Sequence, residues 1–258
     1  MRIISYNVNG LRSILSKNTL EDIISTYDPD IVGLQETRCP DNYPVNDLIT
    51  KKYPYFKIVS SKTKKGYSGV AIFSKEKPIQ IYTDFPQNEE GRMLVFEYDK
   101  FCLINAYVPN SKEDLSRLTY RIQEWEPAVR RYVAELQAKT RKPSVFCADF
   151  NVAHTELDIY TTKGKEKKHG FTKEEREAFS ELLKHNNFID SFRYKNPTLQ
   201  KFSWFSNFHN SRDKNNGWRI DTILVSSSLK DKIKEADIIN CKGSDHNPVY
   251  CDIKFDAH

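Results

Sequence analysis

The chain has 258 residues, with 40 Lys and Arg against 35 Asp and Glu, a formal net charge of +5. That length suits one large domain or two small ones, and folded as one unit it buries roughly three quarters of the unfolded chain's surface. A charged fraction of 29% and a mean hydropathy of −0.66 exclude a membrane protein, and no run approaches the ~20 apolar residues of a spanning helix. The opening MRIISYNVNG lacks the apolar core of a secretory signal, so the expectation is an intracellular protein. Five scattered cysteines without a CxxC pair argue for idle thiols in a reducing compartment rather than a disulfide framework or a zinc site.

Apolar, β-branched runs of strand length follow from end to end: 2–6, 30–34, 56–60, 70–74, 79–85, 93–98 and 101–108. They continue at 144–147, 202–205, 220–226, 236–240 and 249–255. Asp99-Lys100 between two of these runs predicts a hairpin. Three helices interleave. The first, over 20–27, is short. The second spaces Leu115, Leu118, Ile122, Trp125, Val129, Val133 and Leu136 at intervals of three and four, with Pro127 predicting a kink or break inside it. The third opens on a capping box, Thr172 to Glu175, and buries Phe179, Leu182 and Leu183. Many strands with few helices between them predict two packed sheets with helices outside, as one domain over 1–258, and disfavour evenly alternating βαβ folds.

Polar residues sit where these strands end. The first runs into Asn7 and Asn9, the second into Gln35 and Glu36, the seventh into Tyr107 and Asn110, the eighth into Asp149 and Asn151. Asp221 lies inside an apolar run, and Ser244-Asp245-His246 precedes the last strand. Taken singly, an Asn caps a turn and an Asp caps the following segment. A buried carboxylate at Asp221 needs a partner, for which His246 is the candidate. So many polar strand ends argue for one pocket of carboxylates, amides, a Tyr and a His, a hard-oxygen set that suits Mg2+ rather than zinc.

These segments together resemble the exonuclease III family of abasic-site (AP) endonucleases. They are ISYNVNGLR (4–12), DIVGLQETRC (30–39), KKGYSGVAIFS (64–74), EGRMLVFEYDKFCLINAYVPN (90–110), CADFNVAH (147–154), HGFTKEER (169–176), NNGWRIDTIL (215–224) and GSDHNPV (243–249). AYVPN, DFNVAH and GWRID bring the chain closer to the eukaryote-type branch. The resemblance implies a four-layered α/β sandwich of two mixed sheets flanked by helices. It implies Mg2+-dependent hydrolysis of the phosphodiester 5′ to an abasic site in duplex DNA during base excision repair, giving a 3′-hydroxyl and a 5′-deoxyribose phosphate. Minor 3′-phosphodiesterase and 3′→5′ exonuclease activities go with it, and Mn2+ is the expected substitute metal.

Roles follow from the resemblance residue by residue. Glu36 and Asp245 would be the main metal carboxylates beside Asn7, in a wider set that includes Asp149, Asn151 and His246. Asp149 would orient or deprotonate the attacking water with help from Asn151. His246, oriented by Asp221, would grip a phosphate oxygen, and Tyr107 would support developing charge. Whether Asp149 or His246 is the base stays open. DNA-facing residues would be Arg12, Arg38, Lys65, Tyr67 and Asn110, with Trp204 and Trp218 walling a pocket for the flipped sugar. Trp204 fits core packing equally well, and the run 163–168 fits a solvated loop. The chain departs from the family at Asn9, where many eukaryote-type members have Asp, at Ala148, where Gly is usual, and at Glu113, where a relative has a basic residue. Ile4 stands at the position of a redox-linked cysteine, so that role is not carried over. The implied partner is abasic double-stranded DNA, bound by a monomer in the nucleus of a eukaryote or the cytoplasm or nucleoid of a prokaryote, with no membrane. An inositol-phosphate or sphingolipid phosphoesterase and a catalytically dead DNA scaffold are the competing readings.

Overall fold

The computed structural model describes residues 1–255, so residues 256–258 of the expected domain lie outside the described residues. In chain order the strands are β1 (Arg2–Asn7), β2 (Ile31–Gln35), β3 (Tyr55–Val59), β4 (Val70–Ser74), β5 (Gln80–Tyr82), β6 (Met93–Glu97) and β7 (Cys102–Tyr107). They continue with β8 (Ser144–Asp149), β9 (Phe188–Asp190), β10 (Trp204–Phe205), β11 (Gly217–Trp218), β12 (Asp221–Ser226), β13 (Ile233–Ile238) and β14 (Val249–Ile253). The helices are α1 (Leu11–Ser16), α2 (Thr19–Tyr27), α3 (Asp47–Lys52), α4 (Leu118–Tyr120), α5 (Glu126–Thr140), α6 (Lys173–His185) and α7 (Ser191–Lys195).

Two six-stranded mixed sheets form, in the orders β13-β14-β1-β2-β4-β3 and β5-β6-β7-β8-β12-β9. Each has one parallel pair at its centre, β1 with β2 and β7 with β8, flanked by antiparallel strands. Alternation along the strands explains the layering, because successive side chains point to opposite faces. Ile3, Ile31, Val70 and Ile72 of the first sheet meet Leu94, Leu103, Val145 and Ile223 of the second in the core between them. On the outer face of the first sheet, Ile4, Tyr6, Val32 and Leu34 pack with Leu11, Leu20, Ile23 and Ile49 of α1, α2 and α3. On the outer face of the second, Val95, Ile104 and Phe146 pack with Val129, Val133, Phe179 and Leu182 of α5 and α6. The result is a four-layered α/β sandwich, as expected. Burial on both faces is why the strands read as continuous apolar runs.

The hairpin at Asp99-Lys100 joins β6 and β7, with Met93 opposite Ala106 and the Tyr98 N–H donating to Phe101 O at 2.9 Å. The capping box of α6 forms, its Thr172 hydroxyl accepting from the Glu175 N–H at 3.2 Å. Several boundaries differ from expectation. Leu115 adopts a left-handed φ of 59° and closes a turn, so the helical stretch begins at Leu118. Pro127 sits in the first turn of α5 directly after a π-helical turn over Arg121–Trp125; the wider turn absorbs the missing donor, and the irregularity falls there rather than as a break. The run 79–85 shortens to β5 because Phe85 turns into the core against Trp125. The elements missed altogether, such as α1, α3, α7, β9 and β11, are too short to show a period.

Candidate active site

The polar strand ends converge. In register, Asn7 pairs with Gln35, Tyr107 with Asp149, and Asp149 with Asp221, so the two central parallel pairs deliver their last residues to the same end of the sandwich. There they bond across the sheets. The Asn7 amide donates to Asp149 Oδ2 at 2.9 Å and to Glu36 Oε1 at 3.3 Å. The Tyr107 hydroxyl donates to the same Glu36 oxygen at 2.8 Å. His246 Nδ1 lies 2.8 Å from Asp221 Oδ2, which leaves Nε2 facing Asp149 Oδ2 at 3.7 Å. Asp245 is held by Trp204 Nε1 at 3.2 Å and by the Asn9 amide at 3.3 Å. Asn151 donates its backbone N–H to Asp149 Oδ1 and its amide to Val108 O.

Backbone geometry at these ends is unusual. Asn9, Glu36 and Asn151 all have left-handed φ, at 48°, 52° and 49°. Such residues are strained unless surrounding bonds hold them, and they are common at sites that must aim a side chain. Gly69 (φ 92°) supports the Glu36 turn, since a Cβ there would collide with the Thr37 hydroxyl.

Burial sets the electrostatics. Desolvation and the neighbouring Asp221 raise the Asp149 carboxyl well above the usual range, against the opposing pull of His246. For His246 burial favours the neutral ring, but Asp221 and Asp149 outweigh it and raise the imidazole above its ordinary value. Burial, then Glu36 and Asp149, push the Tyr107 phenol up, so it remains a proton donor.

A cleft of about 430 Å³ opens over this floor, walled by Tyr160, Trp204, Trp218 and Ile220 and bordered by Asn110, Lys165, Lys168 and His169. The two indoles meet edge to face at 6.0 Å. Trp204 is thus a cleft wall as well as a ligand of Asp245, not simply core. Ser206, Ser211 and Asp245 also border a polar depression of about 440 Å³ that continues past Lys17, Arg212 and Lys242. Of the other residues singled out, Arg12 and Lys65 are exposed and Tyr67 is half-buried. Arg38 pairs with Glu36 at 2.7 Å. The Asn110 amide reaches Asn151 Oδ1 at 3.3 Å. Lys165 lies over the Tyr160 ring at 5.6 Å, so the run 163–168 is not wholly a solvated loop.

The donor set fits a hard divalent cation. No Cys or Met lines the cleft, and Asp149, Asp221 and His246 each offer a ligand atom within 4.8 Å of the others. Glu36 and Asp245, the expected principal carboxylates, stand outside that trio, and Asp221 is committed to His246 through Oδ2 at 2.8 Å, its Oδ1 buried without a hydrogen-bond partner.

Three buried arginines were not found from the sequence. Arg121 donates to Phe150 O at 2.7 Å, to Asn151 O at 2.9 Å and to Glu175 at 3.0 Å. Glu175 in turn accepts from Gly170 N and Ser111 Oγ, so one carboxylate ties the turn after Asp149 to two cleft loops. Arg219 pairs with Asp158 and Asp190, each at 2.7 Å, behind Trp218. Arg92 lies against Tyr107. Arg121 falls within the apolar helical stripe, Arg92 directly after Gly91 and Arg219 directly after Trp218; a charged residue next to a scarce glycine was the available signal for Arg92 alone.

Two packed mixed sheets whose central strand ends, with the start of β12 and the turn before β14, assemble a carboxylate, amide and imidazole floor form an α/β sandwich of the phosphoesterase type. Residues 4–246 match the Endonuclease/Exonuclease/phosphatase family. Bacillus subtilis exodeoxyribonuclease is 41% identical over 254 residues, 96% of this chain and 98% of that protein. The DNA repair nuclease APEX1 of Danio rerio is 41% identical over 255 residues, 96% of this chain and 81% of that one. The AP endonuclease of Leishmania major superposes with a TM-score of 0.88 at 29% identity, over 99% of this chain and 88% of its own. The 3′ phosphatase NExo of Neisseria, bound to a product DNA hairpin, gives 0.85 at 25% identity, over 99% and 100%. The chain belongs to the Endonuclease/Exonuclease/phosphatase family and is an enzyme of the branch that groups with exodeoxyribonucleases and AP endonucleases. No helix among the described residues is long and apolar enough to cross a membrane.

Proposed function

We propose that residues 1–258 act as one monomeric unit that cleaves the phosphodiester 5′ to an abasic site in double-stranded DNA, with Mg2+ as its metal and Mn2+ as a substitute. The products are a 3′-hydroxyl and a 5′-deoxyribose phosphate. Weaker 3′-phosphodiesterase and 3′→5′ exonuclease activities accompany it. The observation that carries this reading is the cleft itself: an aromatic wall of Tyr160, Trp204 and Trp218 faces the same space as Asp149 and His246. An extruded sugar without its base fits against such a wall, and its extrusion loses no base pairing.

Asn7, Glu36, Asp149, Asn151, Asp245 and His246 supply the metal's surroundings, Glu36 and Asp245 as its principal carboxylates. A bound Mg2+ supplies neutralisation of charge on the scissile phosphate. Asp149, fixed by the Asn7 amide and the Asn151 N–H, orients the attacking water and accepts its proton. Asn151 shares that water or a phosphate oxygen. His246 is anchored through Nδ1 on Asp221, so Nε2 donates to a non-bridging phosphate oxygen. Tyr107 donates toward charge gathering on the phosphate or leaving oxygen, a preorganised donor of the kind that carries much of catalysis. Arg12, Arg38, Lys65, Tyr67 and Asn110 hold the duplex around the cleft.

The test is incision of a duplex carrying one tetrahydrofuran abasic analogue, with Mg2+ and then with EDTA, beside an inositol polyphosphate. A Mg2+-dependent nick 5′ to the lesion is expected, abolished by EDTA. No nick together with phosphate released from the inositol compound would overturn the repair reading.

A further inference from the structure

Arg92 is buried, with a relative exposure of 2%, yet it does not contact the carboxylate floor. Its guanidinium lies between two phenols, 4.8 Å from the Tyr107 ring centroid and 5.6 Å from that of Tyr67. Nη2 donates to the Tyr67 hydroxyl oxygen at 2.9 Å and Nη1 to the Tyr107 carbonyl at 3.1 Å. Nε and Nη2 both reach Glu90 Oε2, at 2.8 and 2.6 Å. The Tyr107 N–H donates back to Arg92 O at 2.8 Å. Every face of this side chain is therefore specified, and a planar fork is required to satisfy all of it.

The far side is also constrained. Arg117 Nη1 donates to the same Tyr67 oxygen at 3.3 Å, and its Nη2 pairs with Glu90 Oε1 at 2.8 Å. With both lone pairs of the phenol oxygen taken by cations, the Tyr67 O–H is left as a donor to whatever approaches. Gly91 (φ 63°) anchors the segment, since a Cβ there would press into the Ser60 carbonyl and the Ser61 N.

We propose that Arg92 is a positioning residue that couples duplex contact at Tyr67 to the orientation of Tyr107, and through the Tyr107 hydroxyl to Glu36. The coupling rests on the proposed duplex substrate. Tyr67 is half-buried outside the cleft's lining, while Tyr107 bonds Glu36 at 2.8 Å on the floor, and Arg92 touches both. A contact that fixes the Tyr67 ring thereby fixes the plane on which the Tyr107 ring rests. Binding at Tyr67 is in this way spent on order at the reacting centre.

The experiment compares wild type, Tyr67→Phe, Arg92→Lys and the double variant in steady-state incision of the tetrahydrofuran duplex with Mg2+. Tyr67→Phe keeps the ring and removes the oxygen that Arg92 holds. The coupling predicts a fall in kcat of about tenfold at saturating duplex, the scale of one charge-assisted hydrogen bond, beyond any rise in KM. Arg92→Lys keeps the charge and loses the fork, and is expected to lower kcat similarly. The double variant should lose no more than the worse single one. A Tyr67→Phe effect confined to KM, or losses that multiply, would overturn the proposal. Should Arg92→Lys fail to fold by thermal melting, the kcat and KM split of Tyr67→Phe decides alone. A wild type that does not incise the duplex fails the substrate reading instead, a separate outcome.

Discussion

At the scale of single residues, the proposed mechanism divides the site into groups that position and groups that react. Asp149 is held by two donors and aimed into the cleft. Asp149→Asn should cost at least ~10²-fold in kcat, with KM for the duplex little changed, as expected for loss of a positioned proton acceptor; an unchanged kcat would refute its role. His246 yields a pH prediction. Its folded-state pKa is raised, because Asp221 and Asp149 outweigh the cost of burial. Its contribution to stability is therefore fully present below the imidazole's unfolded value, ~6.5, and is lost as pH rises through the folded value, about 10. Melting temperature should fall over that window in wild type and fall less in His246→Gln. Asn7, Glu36, Tyr107, Asp149 and Asn151 were legible in the sequence because each ends or follows an apolar run, the position where a strand stops and a side chain is free to face a ligand; Asp221, Asp245 and His246 showed instead as polar residues at or just before the start of one. Arg121 was not legible, since the carbonyls and the Glu175 carboxylate that hold it lie 29 or more residues away in the chain; for Arg92 the adjacent glycine was the only trace.

Elements show the same division. The apolar runs marked every strand of both sheets except the three-residue β9, because the central strands are buried on two faces and carry few polar residues to blur them. Helices shorter than two turns left no periodic trace, and α1, α3 and α7 were missed for that reason. The π-helical turn before α5 is the instructive case. Pro127 signalled an irregularity at that point, but not that the turn would present Arg121 to the carbonyls of Phe150 and Asn151. Arg121→Met leaves Glu175 buried with a missing cationic partner. Urea unfolding should show a loss of about 3–5 kcal/mol, and incision should weaken with it as the turn after Asp149 loosens. Stability within 1 kcal/mol of wild type would mean the pair holds nothing that matters to the fold.

For the whole molecule, a net charge of +5 means little until its placement is known. Acids gather on the cleft floor, while Arg12, Lys64, Lys65 and Lys163 are exposed. Duplex affinity should accordingly fall with salt, by about 0.9 in log K per log[salt] for each phosphate neutralised, and Lys65→Ala should flatten that slope by about one such step. A salt-independent affinity would mean that the basic rim is not the DNA surface. The sheet order carries a further consequence. β1 lies between β2 and β14, with Arg2 opposite Asp252, and Asn9 bonds Asp245 across a sequence separation of 236 residues. The cleft floor thus draws on both extremes of the described chain. During synthesis the early strands emerge without the neighbour that completes their sheet, and without Asp245 and His246. On the proposed mechanism, a chain lacking β14 and the turn before it would have neither Asp245 nor His246 on the floor, so truncation before residue 243 should abolish incision.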